Sequence, residues 1–395
     1  MKKIVSALLS LILVISLTYM AFAVDNSKEL KFREDGTFKI LQISDTQDDA
    51  HPAYDMIEFV KLSIKESQPD LIIFTGDLVE DNRPGDLTKD DDPFHEGVVV
   101  KNNQGKTTEN LEKAADSVLS ILQESSIPFA LAQGNNDHNC GISDADWLKI
   151  YSRYSNCLTT DMSNDSEGRI DYNILINGND GKPAFNLWIM DTERGGTNTE
   201  QDDWYKQAST ELTNKYGKVI PAFVFEHIQV CDIGNLFEEC SPFDEGAKAC
   251  GSKVVRLNRE IASGYNFFGY EPGLTSQQFL AWKEQGDVIG AFFGHQHVEG
   301  FSGKVDGIEL GFTYGCEFAK TGPYGYRVFT LHEDDILNYD NELFTYEGNV
   351  KTGNAHIEKQ AEISYKEYKN PIEKAVYSII NFVKFAISFV IDIFA

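Results

Sequence analysis

From residue 39 onward, short apolar runs rich in β-branched and aromatic residues alternate with polar turns and amphipathic stretches. That alternation predicts strands at 39–44 (KILQIS), 71–75 (LIIFT), 129–133, 186–190, 222–225 and 288–293, with helices at 53–67, 110–124 and 276–284. Residues 304–314 predict antiparallel strands flanking Gly307. Strands interleaved with helices make the fold class α/β. Two stretches, 78–108 and 229–258, lack a steady period and read as long loops; loops of that length in a compact domain usually shape a site.

Both ends depart from this pattern. Lys2 and Lys3 precede an apolar run, Ile4 to Leu17, that closes on Ala21-Phe22-Ala23. The run is short for a membrane span, and the three parts together predict a secretory signal peptide, 1–23, with an exported mature chain starting near Val24. A domain is expected over 36–333, followed by a polar linker, 334–370, and an apolar tail, 371–395. In the tail Ile372, Val376, Ile379, Ile380, Val383, Ile387, Val390, Ile391 and Phe394 recur at helical spacing, with Lys374, Ser378, Asn381, Ser388 and Asp392 as a narrow polar stripe. This is an amphipathic helix suited to a membrane surface or to packing on protein; Lys384 and Asp392 make a simple span costly.

Composition narrows the function classes. An apolar content of 42% excludes general disorder, and 62 acidic against 35 basic residues give a formal net charge of -27. No nucleic-acid binding is expected of so acidic a chain; a phosphorylated substrate requires cations that reverse the potential locally. Six cysteines in an exported chain allow disulfides, and proximity suggests Cys140 with Cys157 and a pair within Cys231, Cys240 and Cys250.

The chemistry sits just beyond the strands. Asp45-Thr46-Gln47, Gly76-Asp77, Gly134-Asn135-Asn136-Asp137, Glu226-His227 and Gly294-His295-Gln296-His297 each follow an apolar run. Singly, a Gly-Asp is usually a turn and a buried histidine usually a core residue. Five in order, at the carboxyl ends of successive strands, place carboxylate, amide and imidazole groups around one crevice. Two metals need two ligand sets and one bridge: Asp45, His297 and Gln47 suit one, Asn135, His227 and His295 the other, and Asp77 both. On an extended strand His295 and His297 would point to the same side.

The ordered set D-x-[H/Q], G-D, G-N-x-D, a histidine after a strand and G-H-x-H resembles that of the calcineurin-like metallophosphoesterases, over roughly residues 39–331. The runs KILQISDTQ, PDLIIFTGDLV and AFFGHQHVEGF look like the fungal and plant phosphatases filed beside purple acid phosphatases. The resemblance implies a four-layer α/β/β/α sandwich with two mixed sheets. It also implies hydrolysis of a small phosphomonoester or phosphodiester by a metal-bridging hydroxide attacking in line. It carries over Asp45, Asp77, Asn135, His227, His295 and His297 as ligands of two divalent or trivalent ions, manganese, zinc or iron, among which such ligands discriminate weakly.

Three departures stand out. Gln47 replaces a common histidine, as a weak ligand or a hydrogen-bonding neighbour of one. Asn136 replaces the histidine of G-N-H-D, so no proton can come from that position; G-N-N-D also occurs in a bacterial phosphodiesterase branch. His138, two residues on, is a candidate substitute, and Asp137 a candidate orienting residue. Glu80 stands where purple acid phosphatases carry their iron-binding tyrosine, so no iron-tyrosinate colour is expected. The opposing expectation is a non-catalytic exported protein that binds metal or phosphate through a degenerate site.

Overall fold

The computed structural model describes residues 29–48, 52–80, 104–163, 165–193, 195–317, 323–347 and 358–360, and seven residues between 375 and 386. The expected signal peptide, most of the 78–108 loop and most of the tail lie outside these residues.

Two mixed sheets form the body. The first runs β16-β15-β14-β1-β2-β3. In it β1 (Thr37–Ile43) lies parallel to β2 (Leu71–Thr75), which lies parallel to β3 (Phe129–Ala132); on the other side β1 is antiparallel to β14 (Tyr324–His332). The hairpin partner β15 (Asp340–Glu347) and β16 (Glu358–Gln360) complete it. The second sheet runs β10-β12-β13-β11-β6-β5-β4. Its parallel centre is β5 (Pro183–Met190), β6 (Ala222–Glu226), β11 (Val288–Phe293) and β13 (Ile308–Phe312), flanked by antiparallel β4 (Tyr172–Asn177), β12 (Gly300–Val305) and β10 (Ala262–Tyr265).

Period-two alternation in the central strands divides their side chains between two cores. Leu187, Ile189, Phe223, Phe225 and Phe292 face the first sheet, while Trp188, Met190, Val224, Ala291 and Phe293 face the opposite way. Between the sheets Phe223 packs against Phe185, Phe292, Phe329 and Tyr339 with ring centroids 4.6–5.2 Å apart. Helix α1 (Tyr54–Ser67) covers the outer face of the first sheet, its Phe59 touching Tyr326 and Tyr346, with α2 (Gln104–Glu124) beside it in the same core. On the far face of the second sheet lie α5 (Thr199–Tyr216) and α6 (Gln277–Gln285). The buried Asp287 carboxylate accepts from Trp188 Nε1 at 3.1 Å and Ser209 Oγ at 2.9 Å and bonds Tyr205 Oη, tying α5 to the sheet. The result is the four-layer α/β/β/α arrangement.

Several expectations need correction. The interval 229–258 is not an open loop: it holds a 3-10 turn (Cys231–Leu236) and a small sheet, β7 (Phe237–Glu239), β9 (Lys253–Leu257) and β8 (Lys248–Cys250). Its strands are only three to five residues long, too short to show a period. Helix α2 starts six residues earlier than expected. The supposed linker contributes β15, whose NELFTYE alternation is obscured by charged neighbours. Helix α5 escaped the sequence reading because its buried face includes Gln201, Asp202 and Ser209 rather than an apolar stripe. None of the six cysteines is joined in a disulfide. Cys157 pairs beside Phe129 at the start of β3, and Cys140 follows its end. The strand and the short helix Asn135–Asn139 lie between Phe129 and Cys140 in the chain.

Phe223 fills the space between the sheets at 0% exposure. Phe223→Ala should lower unfolding stability by about 3–5 kcal/mol, read as a lower denaturation midpoint at unchanged slope; a midpoint equal to wild type would show that this layer is not the principal core.

Candidate metal centre

All five chemical segments converge where the carboxyl ends of β1, β2 and β3 meet those of β6 and β11. The seam between the sheets is closed by His227, whose Nδ1–H donates to the Thr75 carbonyl at 2.8 Å. That bond leaves Nε2 facing Asp77 Oδ2 and Asn135 Oδ1, each at 3.2 Å.

Two groups of candidate ligand atoms result, Asp77 with His227 and His295, and Asp45 with Asp77 and His297, the atoms within each lying within 4.8 Å of one another. Asp77 belongs to both. His295 and His297 therefore do serve neighbouring groups, but not from an extended strand: His295 has φ 66° and the segment turns through Gln296. Asn135 enters through its Oδ1 contact with His227. Gln47 is 6% exposed; its Nε2 donates to Asp77 Oδ2 at 2.7 Å, and its Oε1 is buried without a hydrogen-bond partner. An orphaned carbonyl oxygen beside clustered carboxylates and imidazoles fits a cation.

Backbone conformation holds these side chains in place. Among the described residues eight non-glycines have positive φ, and Asp45, Gln47, Asp77 and His295 are four of them, so strain concentrates here. The motif glycines make the close approach possible. A Cβ at Gly76 would meet His227 Nδ1 at 2.6 Å, one at Gly134 would meet Asp77 N and Oδ1 at 2.2 Å, and one at Gly294 would meet Ser44 Oγ at 1.9 Å. Asp137 secures the Asp77 turn, its carboxylate accepting from the amides of Asp77 (2.9 Å), Leu78 (3.0 Å), Val79 (3.3 Å) and Gly134 (2.9 Å). The backbone N–H of Asn136 donates to Asp77 Oδ1 at 2.8 Å, while its side-chain oxygen accepts from Asn135 Nδ2.

Electrostatics follow from crowding charge in a buried place. Burial pushes the Asp45 carboxyl up. Burial would also raise Asp77, but the His227 ring holds it below its ordinary value. Burial opposes charge on His227, yet Asp77 and Asp45 outweigh it and lift the ring to about 10. His295, buried beside charged His227, falls to about 4, and Asp137, buried near Asp77, rises to about 7.

His138 lies in a different group. Its Nε2 is 2.7 Å from Asp191 Oδ1 and its Nδ1 3.4 Å from Asp144 Oδ1, and these two carboxylates raise it to about 9 against the effect of burial. The sequence reading missed Ser44, whose Oγ donates to Asp45 Oδ2 at 2.5 Å, and Glu317, 2.7 Å from His297 Nδ1. KILQIS placed Ser44 beside the motif; nothing local marked Glu317.

Gly134→Ala should displace Asp77 and weaken divalent-metal binding at least tenfold, about 1.4 kcal/mol, by calorimetric titration. Wild-type affinity in that variant would mean that the Gly134–Asp77 contact does not set the centre.

Residues 38–299 match the family model described as calcineurin-like phosphoesterase. "Probable inactive purple acid phosphatase 14" of Arabidopsis thaliana is 26% identical over 343 residues, spanning 76% of this chain and 75% of that protein. "Probable inactive purple acid phosphatase 28" of the same plant is 25% identical over 352 residues, spanning 76% and 73%. Among solved structures, a dimetal phosphatase from Danio rerio aligns with 14% identity over 75% of this chain and 93% of its own, at a TM-score of 0.44. With its motifs gathered at the strand ends and most of its length matched, the chain belongs to the calcineurin-like phosphoesterase family.

Proposed function

We propose that the chain is an exported phosphoesterase that binds two metal ions and hydrolyses small phosphomonoesters or phosphodiesters. The observation that carries this reading is the sharing of Asp77 between two adjacent ligand groups. In the proposed centre Asp45, Gln47 and His297 would hold one ion and Asn135, His227 and His295 the other, with Asp77 a candidate ligand of each. Bound there, the ions would supply Lewis acidity and an activated water. The protein's own residues do the rest: Asp137 fixes the turn that aims Asp77, the Thr75 carbonyl keeps the His227 proton on Nδ1, and the Asn136 amide steadies Asp77 Oδ1. We assign His138 to anchoring the loop after β3, since both its ring nitrogens face carboxylates.

A second reading, metal binding without turnover, is favoured by two features. Asn136 has no proton to give a leaving group, and curated relatives carry "inactive" in their names. Poor leaving groups need an acid more than good ones do.

The test is hydrolysis of p-nitrophenyl phosphate and bis-p-nitrophenyl phosphate by metal-free protein reconstituted with manganese, zinc or iron. Turnover should require metal and vanish in Asp77→Asn, whereas an absence of turnover with every metal would leave the non-catalytic reading. With the His227 ring lifted to about 10, a metal must displace its proton, so metal uptake should release protons and tighten as pH rises toward that value; pH-independent affinity would contradict that.

Peripheral membrane association through the tail is part of the same proposal. Val376, Ile379, Ile380, Phe382 and Val383 are exposed, with Phe382 stacked on Phe243 at 5.9 Å. A chain ending at Asn370 should lose co-sedimentation with zwitterionic vesicles, and undiminished binding would remove the tail from consideration.

A further inference from the structure

We propose that the segment 266–276 forms an aromatic rim to the metal centre, where Phe267 and Phe268 receive the ring of a phenol esterified to phosphate. The inference rests on the phosphoesterase reading and names the substrate class for that site.

The fold brings this segment to the edge of the centre. Tyr265, the last residue of β10, lies opposite Gly300 at the start of antiparallel β12. The chain leaving β10 therefore runs back along the residues that precede Gly300, toward His297. The buried Glu299 carboxylate fastens it there, accepting from Asn266 Nδ2 at 3.0 Å and from the backbone amides of Phe267 at 3.0 Å and Phe268 at 2.7 Å. Glu299 is two residues from His297, a reach of at most about 7 Å along the backbone. Farther on, the same segment is seated on the 3-10 turn that follows His227. Ser276 N and Oγ each donate to Asp232 Oδ2 at 2.8 Å, and a Cβ on Gly273 would lie 2.1 Å from the Cys231 carbonyl oxygen. The segment is thus tied to the chain beyond two of the candidate ligand histidines.

Phe267 and Phe268 are 47% and 52% exposed, with rings set edge to face and centroids 4.9 Å apart. Lys248 Nζ lies 5.6 Å from the Phe267 ring centroid. Single exposed apolar side chains are ordinary, whereas two adjoining aromatic rings fixed at the edge of a site offer a surface to a third ring. A separate observation points to the same substrates: Asn136 has no proton to give a leaving group. An alkoxide departs poorly without an acid, and a phenolate departs readily. In the reaction a water oxygen bonds to phosphorus while the bond to the aryl oxygen breaks. The electron pair leaves with the phenolate, the protons of the water stay with the phosphate, and solvent then protonates the phenolate.

The experiment uses the full chain reconstituted with whichever of manganese, zinc or iron supports p-nitrophenyl phosphate turnover, and compares kcat/KM for phenyl, benzyl and ethyl phosphate. Benzyl and ethyl alcohol are similarly poor leaving groups, so their ratio reads recognition of the ring; phenyl against benzyl reads the need for an acid. Benzyl phosphate should be preferred over ethyl phosphate about 5- to 10-fold, and phenyl over benzyl by about 100-fold or more. Replacing both rings, Phe267→Ala with Phe268→Ala, should bring the benzyl-to-ethyl ratio close to one, while Phe267→Tyr with Phe268→Tyr should keep it. No preference for benzyl over ethyl phosphate in the wild type, or a ratio unchanged by the alanine pair, would overturn the rim. Benzyl phosphate turned over as fast as phenyl phosphate would reveal an acid in the site and overturn the restriction to phenols. No turnover of p-nitrophenyl phosphate with any of the three metals would defeat the phosphoesterase reading and this inference with it.

Discussion

The position of the Asp77 carboxylate is the constraint around which the centre is built. One oxygen accepts from the Asn136 amide and the other from Gln47 Nε2, with His227 beside it. Its backbone, in the left-handed region, is held by Asp137 from the adjoining loop. Those contacts come from β1, β2, β3 and β6, so neither sheet alone can set this one side chain. The interlocked phenylalanines between the sheets therefore bear directly on the chemistry: they determine how close Thr75 and His227 come.

Strain and tolerance of close contact go together. Left-handed conformations at non-glycine residues cost about 1–3 kcal/mol each, and they gather at Asp45, Gln47, Asp77 and His295. Each lies beside a glycine that leaves no room for a Cβ or against a hydrogen bond from another strand. A large apolar interior can hold such turns because they interrupt it only at one edge. The same geometry crowds Asp45, Asp77 and Asp137 in a buried space where histidine supplies the opposing charge. Within a chain of net charge -27, that crowding of buried carboxylates suits the binding of cations.

The neighbouring cluster has another character. Asp191 receives the amides of Ile170 and Glu193 as well as the His138 ring, and Arg169 spans Glu193, Gln201 and the Gly196 carbonyl. Its carboxylates are met by cations and amides of the protein, so it links α3 (Asn135–Asn139) and α4 (Asp144–Tyr151) to the loop before α5. His138, though next to the Asn135 segment in sequence, thus meets surroundings unlike those of the metal centre, and they set its role apart.

Sequence alone was enough for the α/β class, for six of the strands to within three residues at either end, though not for β14, and for the segments that supply the metal-centre side chains. Those features are written in local periodicity, such as LIIFT and VIGAFF, and in residue types that follow a strand directly. It did not reveal α5, whose buried face is polar, nor β15 or the small sheet of β7, β8 and β9, whose strands are short or charged. The sequence pointed to Asp77 as the shared carboxylate, but the folded chain alone places His138 against Asp144 and Asp191 and brings Glu317 beside His297. Each of those facts is a distance between residues 20 or more positions apart or on different turns, fixed by the packing of two sheets. Packing is a property of the assembled chain, and no local pattern encodes it.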